Sequence, residues 1–226
     1  MKALAIDCAC SRMTVAAKND DKTYTAIYDI GMRQSETLVP AIDAALEKAG
    51  LAKNELDYTT LTIGPGSFTG LRLGISALKA IECAFGTPVY GISSLQAYAY
   101  PFVNSVIPTL ACIDANKDRF YAGIYHSGKV VLEDGDYDIP FIIEHLKNIT
   151  ELNITGMKAD VAKLISLFEK NGCTKNWNTL AVPAVTTDCL FELAEKKITA
   201  KEPSLKDFDG PVYLRASEAE IKLSTS

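Results

Sequence analysis

The chain has 226 residues, 48% apolar and 23% charged, which excludes a fibrous or unfolded chain and allows one large core or two small ones. Its 28 acidic and 23 basic side chains leave a formal charge of −5 with no run of five or six basic residues, so the chain by itself is not expected to grip a nucleic-acid backbone. The apolar run Ala3 to Ile6 is too short for a signal-peptide core or a membrane span, and the six cysteines contain no Cys-x-x-Cys pair, so they read as reduced thiols of a cytoplasmic protein.

Three strands are expected in the first thirty residues: Lys2 to Asp7 is apolar, Arg12 to Ala17 is rich in small and β-branched residues, and Thr23 to Ile30 alternates. The turn Asn19-Asp20-Asp21 uses residue types that bond their own backbone. A helix should follow from Ser35, a candidate N-cap, to Ala49, with Gly50 ending it in the left-handed conformation. Its apolar stripe is Leu38, Ile42, Leu46 and Ala49, widened by Val39 and Ala45. Tyr58 to Ile63 reads as a strand, Gly64 to Gly70 as a turn, Leu71 to Phe85 as a helix closed by Gly86, and Pro88 to Ile92 as a strand after which Ser93 or Ser94 caps a short helix.

From Val106 the pattern starts again. A strand to Ile113 ends at Asp114, a polar turn Ala115 to Asp118 follows, and strands Arg119 to Tyr125 and Lys129 to Leu132 flank the turn Ser127-Gly128. Helices over 140–147 and 158–170 and a strand over 152–155 complete the echo. The repetition points to an α/β protein of two similar lobes, 1–103 and 104–226, each a mixed sheet flanked by helices, with the final segment, about 211–226, a candidate to pack back on the first lobe. Asp7 and Asp114 each end the first strand of a lobe, where folds of the actin and hexokinase kind hold a magnesium-bound phosphate; an aspartate there is equally an ordinary turn residue.

The most specific stretch is Gly64-Pro65-Gly66-Ser67-Phe68-Thr69-Gly70-Leu71-Arg72-Leu73-Gly74, which joins a strand to a helix N-terminus. Free N–H groups and close backbone approach there suit an anion or the neighbourhood of a nucleotide. A structural turn capped by Ser67 or Thr69 accounts for it equally, and it lacks the Gly-Lys-Ser/Thr ending of a Walker loop. The helices Ser35 to Ala49 and Leu71 to Phe85 carry more apolar surface than one sheet obviously requires. Leu38, Ile42, Leu46, Leu71, Ile75 and Leu78 are therefore candidates for a partner interface as well as for core. Lys196, Lys197, Lys201 and Lys206 are interleaved with Glu192, Glu195 and Glu202 and read as a solvated helix face. The two histidines, His126 and His145, offer no paired metal ligands, and no cysteine stands in a recognisable setting with a base, so neither a metallopeptidase nor a nucleophilic enzyme is indicated.

The segment G-P-G-S-F-T-G-L-R-L-G resembles the signature of the TsaB family, formerly called YeaZ, of the actin-like ATPase (ASKHA) superfamily, whose lobes have a ribonuclease H-like fold. Similar matches run along the chain: Leu4 to Asp7, Ser35 to Pro40, Val89 to Leu95, Ile113 to Ala115, and Pro211-Val212-Tyr213-Leu214-Arg215. The sequence departs from the family pattern at Gln34, Asn116 and Arg119. The resemblance implies a non-catalytic scaffold in the synthesis of N6-threonylcarbamoyladenosine at position 37 of tRNA. Such a scaffold pairs through its first-lobe helices with TsaD, the homologous catalytic subunit, and works with the ATPase TsaE, while TsaC makes the threonylcarbamoyl-adenylate. It further implies that ATP, ADP and metal belong to those partners, that the isolated chain needs no cofactor, that tRNA is met only through the complex, and that without TsaD the same surface is open to homodimer formation. The competing reading is a nucleotide-dependent enzyme with Asp7 and Asp114 around Mg²⁺ and the Gly64 to Gly70 loop nearby.

Overall fold

The computed structural model describes residues 1–31, 33–181 and 186–215. The chain divides into two compact units: Met1–Pro101 with Pro183–Pro211, and Phe102–Val182 with Val212–Ser226.

In the first unit, β1 (Lys2–Asp7), β2 (Arg12–Asn19) and β3 (Lys22–Asp29) form an antiparallel meander, and β4 (Tyr58–Gly64) and β5 (Val89–Ser93) add parallel to β1 in the order β3-β2-β1-β4-β5. β1 is buried on both faces, as a strand inside a covered sheet must be. Its large residues Leu4 and Ile6 point into one core with Leu38, Ile42 and Leu46 of α1 (Gln34–Ala49) and Ile75, Leu78 and Ile81 of α2 (Phe68–Phe85). Its small residues Ala3 and Ala5 lie in a second core with Ala97 of α3 (Ser94–Ala99) and Leu190, Phe191, Leu193 and Ala194 of α6 (Thr187–Thr199). Alternation of large and small side chains along one strand thus sets how closely each helix layer approaches.

The second unit repeats the plan. β6 (Thr109–Asp114), β7 (Arg119–His126) and β8 (Lys129–Asp138) form the meander, and β9 (Glu151–Gly156) and β10 (Asn176–Ala181) extend it in parallel in the order β10-β9-β6-β7-β8. α4 (Ile139–His145) and α5 (Lys158–Lys170) close its core through Ile139, Ile142, Val161, Leu164 and Phe168. Asp138 caps α4 by accepting from the Phe141 N–H at 2.9 Å.

Several boundaries differ from the sequence expectation. α1 starts at Gln34 with Arg33 in the cap position and no side-chain cap, so Ser35 lies inside the helix. α2 starts three residues before Leu71 because Ser67 is its cap, and β6 begins at Thr109, after Pro108. β8 runs on past Leu132 to Asp138, through register shifts opposite Ala122 and Ile124. β10 was not anticipated, and α6 was anticipated only as the solvated helix face of Glu192, Glu195, Lys196 and Lys197, without its bounds or its apolar stripe. The division at 103/104 also needs correction: α6 and the chain to Pro211 belong with the first unit, because the apolar stripe of α6 fits the alanine-lined face of β1. Val212 to Arg215 belong with the second unit, and residues 216–226 lie outside the described residues.

Candidate functional site

The glycine segment is built against the turn that follows β1. The Ser67 N–H donates to the Ala9 carbonyl at 2.7 Å, and Ser67 Oγ accepts from the Gly70 N–H at 3.2 Å, capping α2. A Cβ on Gly66 would collide with the Ala9 carbonyl oxygen, and one on Gly70 would collide with the Cys8 carbonyl oxygen and lie 2.9 Å from Gln34 Oε1. A Cβ on Gly74 would meet Leu61 Cδ1 at 3.4 Å. Gly66 and Gly70 therefore let α2 and its leading loop lie directly on the backbone of residues 8–9. The Gly64–Pro65 peptide is cis. Gln34 fastens the same turn from α1: it is 7% exposed and its Nε2 donates to the Cys10 carbonyl at 2.6 Å. A cavity of about 140 Å³ remains between the starts of α1 and α2, lined among others by Cys10, Ser11, Gln34, Ser35, Ser67 and Thr69. Phe68 and Arg72 stand on the solvent side, the guanidinium stacked 3.8 Å from the ring centroid.

The two strand-end aspartates are both engaged by protein donors. Asp7 is 2% exposed; its Oδ1 accepts from the Ala9 N–H at 3.0 Å and the Thr62 hydroxyl at 2.9 Å, and its Oδ2 accepts from the Thr186 hydroxyl at 2.6 Å. Asp114 repeats the first of these bonds, accepting from the Asn116 N–H at 2.9 Å, but its main partner is a cation: Lys163 Nζ on α5 lies 2.9 Å from both carboxylate oxygens. Thr186 and Lys163 are the residues that sequence reasoning missed. Thr186 lies 179 residues from Asp7 and has no local signal, whereas Lys163 sits in a stretch already expected to be helical. Around them, burial and then the Asp7 charge push the Cys8 thiol and the Tyr98 hydroxyl well above their ordinary values, and burial pushes Asp160 up. Cys8 is accordingly a small hydrophobe and not a nucleophile. Among the described residues, no three His, Cys, Asp or Glu side chains gather as a metal-ligand group, and no helix is long and apolar enough to cross a membrane.

The interface candidates need correction. Leu38, Ile42, Leu46, Leu71, Ile75 and Leu78 are all buried inside the first unit, none more than 8% exposed, because those stripes cover their own sheet. The solvent face of α2 carries different residues: Phe68, Arg72, Ser76, Ala80, Ala84 and Phe85. On α1 it carries Val39, Pro40 and Ala44. Arg119 and Arg215 both clamp Asp136 on β8: Arg119 Nε lies 2.9 Å from Oδ1, and Arg215 Nε lies 2.6 Å from Oδ2 while its Nη1 reaches the Ala115 carbonyl at 2.8 Å. Burial would raise the Asp136 carboxyl, but the hydrogen bonds and charges of Arg215 and Arg119 outweigh it and hold the group below the usual range.

Two units of the same β-β-β-α-β-α-β order, each with an aspartate closing its first strand, define an actin-like ATPase fold. A Bacteroides thetaiotaomicron protein described as having an actin-like ATPase fold aligns with a TM-score of 0.50 at 10% identity, over 84% of this chain and 95% of that one. The structure of YeaZ from Pseudomonas aeruginosa aligns with a TM-score of 0.70 at 21% identity, over 94% and 99% of the two chains. A family model described as TsaD, tRNA N6-adenosine threonylcarbamoyltransferase, matches residues 31–168. The Bacillus subtilis tRNA threonylcarbamoyladenosine biosynthesis protein TsaB is 27% identical over 98% of this chain and 97% of its own length. Uncharacterised relatives from Mycobacterium leprae and Mycobacterium tuberculosis are 40% and 38% identical over 93 and 94 residues, and the chain spans only 25% and 43% of their lengths. The chain belongs to the family that this model describes, as one of its TsaB (YeaZ) members.

Proposed function

We propose that the chain is a non-catalytic subunit in the synthesis of N6-threonylcarbamoyladenosine on tRNA, working in the cytoplasm beside a homologous TsaD-type transferase and the ATPase TsaE. The observation that carries the accessory role is the engagement of both strand-end carboxylates. Asp7 accepts three protein hydrogen bonds and Asp114 is held by a lysine ammonium, so the two groups that a nucleotide-handling relative needs for its cation are already bonded within the chain. Nucleotide and metal then belong to the partner subunits, and tRNA is met through the assembly, in keeping with the acidic charge.

The surface offered to the transferase is the outer side of α1 and α2. Its small residues Ser76, Ala80 and Ala84 recur every four positions, so a partner helix can lie close, and the stacked Phe68–Arg72 pair and Phe85 supply aromatic and guanidinium anchors at the two ends. A second copy of the chain can close the same face when the transferase is absent. Gel filtration of the chain mixed with its cognate transferase tests this. The wild type and Leu38→Met should co-elute with the transferase, whereas Ala80→Glu should stay apart from it while melting as the wild type does. A wild type that never co-elutes, or tight Mg²⁺-ATP binding by the isolated chain that Asp7→Ala abolishes, sinks the reading.

A further inference from the structure

The edge strands of the two sheets are β3 and β5 in the first unit and β8 and β10 in the second. An edge strand presents a row of unpaired main-chain groups, and proteins guard such rows with cover, irregularity or charge. β5 is covered: the Leu205 N–H donates to the Val89 carbonyl at 2.8 Å, and Lys79 Nζ donates to the Leu205 carbonyl at 2.8 Å. β8 is guarded by its register shifts and by the charges of Lys129, Glu133, Asp134, Asp136 and Asp138. β10 is shorter and opens on Asn176 and Asn178, residues depleted in strands. β3 is different. It runs for 8 residues, pairs with β2 alone among the described strands and without a shift, contains no proline, and is charged only at its ends, Lys22 and Asp29. Along it Tyr24 is 36% exposed and Ile27 44%.

We propose that β3 is a self-pairing edge, joined antiparallel to β3 of a second copy of this chain about a two-fold axis through Ala26. The two-residue turn Asp20-Asp21 sets Asn19 and Lys22 facing each other, so Thr23, Thr25, Ile27 and Asp29 turn their N–H and C=O groups away from β2. Residues that exchange hydrogen bonds across the new edge must all come from this outward set, which requires the axis to pass through a residue and not between two. An axis through Thr25 sets Asp21 opposite Asp29 of the second copy, and like charges directly opposite destabilise a sheet. An axis through Ala26 avoids that clash and pairs the strand from Thr23 to Asp29. It places the Thr23 hydroxyl opposite the Asp29 carboxylate, Tyr24 opposite Tyr28 and Thr25 opposite Ile27, each twice. The strand itself therefore names its occupant. Its uncharged middle can lie against its own reverse, its polar ends match, and the exposed Tyr24 and Ile27 are covered by residues of the same strand. β8 laid on itself would bring carboxylates together instead. The self-pairing uses none of the α1 and α2 residues assigned to the transferase.

Sedimentation velocity tests the edge in the full-length Ala80→Glu chain, whose helix face is closed to a second copy. That chain should dimerise as its concentration rises. Adding Ile27→Lys should weaken the dimer about tenfold or more and leave the circular dichroism spectrum unchanged, since a lysine there guards the edge from solvent. In a Cys83→Ser background, Ala26→Cys should cross-link under mild oxidation, because residues facing each other at the axis lie within disulfide reach, and Thr25→Cys should not. Cross-linking through Thr25→Cys in place of Ala26→Cys overturns the register. An Ala80→Glu chain that stays monomeric, or a dimer that Ile27→Lys leaves untouched, overturns the self-pairing and leaves the pairing with the transferase standing. A monomeric wild type that loses the transferase on Ile27→Lys reassigns the edge to that partner and overturns the second copy.

Discussion

Replacing Asp7 by alanine separates a structural carboxylate from a catalytic one. The substitution strands three donors, the Ala9 N–H and the Thr62 and Thr186 hydroxyls, at a position 2% exposed to solvent. An orphaned buried donor costs about 1–3 kcal/mol, and the two hydroxyls can rotate toward other acceptors, so a combined loss of about 3–5 kcal/mol is expected. That is a large part of the ~5–15 kcal/mol that holds a domain folded. Asn at the same place keeps one oxygen for Ala9 and Thr62 and should cost about 1 kcal/mol. Because Thr186 directly precedes α6, the loss should be uneven, with amides of 187–199 exchanging faster than those of α1. Guanidinium unfolding followed by circular dichroism measures the first effect, and hydrogen exchange by mass spectrometry the second. An Asp7→Ala protein that unfolds at the wild-type denaturant concentration with α6 equally protected would refute the structural reading.

Other outcomes follow from the same geometry. Leu78→Ala, at a position 0% exposed, should cost about 2–5 kcal/mol in urea unfolding, while Ala80→Glu two residues away on the solvent face should leave the midpoint nearly unchanged; equal effects would contradict the assignment of faces. Asp136 has its folded-state value depressed, so its contribution is present above the unfolded value of about 4 and is lost as pH falls through the lower folded value. The wild type should therefore lose more melting temperature than Asp136→Asn between pH 5 and pH 3, about the span of that titration; parallel curves would remove the clamp from the account. Of the cysteines, Cys83 is exposed, Cys10 is half-buried with its thiol pushed up by burial, and burial pushes Cys189 up to about 11. A thiol reagent at neutral pH should label Cys83 first, and Cys83→Ser should remove the fast phase.

The two-lobed α/β plan was legible because periodicity is a local property. The small and β-branched residues of β2, the alternation in β3, the stripes of α1 and α2, and the glycines after α1 and α2 are written within single segments, and those elements lie within a few residues of where the pattern puts them. β10 escaped because Asn176 and Asn178, residues depleted in strands, flank Trp177 and mask its preference; it is held as a strand by pairing with β9. The helical stripes were legible too, but not what they face. Leu38 and Leu78 look the same in sequence whether they cover their own sheet or meet another chain.

By itself, then, the sequence determined the repeat, the two strand-end aspartates and the glycine segment. Only the tertiary structure decided what they are for: the glycines admit the backbone of residues 8–9, Asp7 accepts from a threonine 179 positions away, Asp114 is neutralised by Lys163, and α6 returns to the first sheet. A side chain's type and its near neighbours fix its propensities, whereas its hydrogen-bond partner and its exposure are set by segments that meet only when the chain has closed on itself.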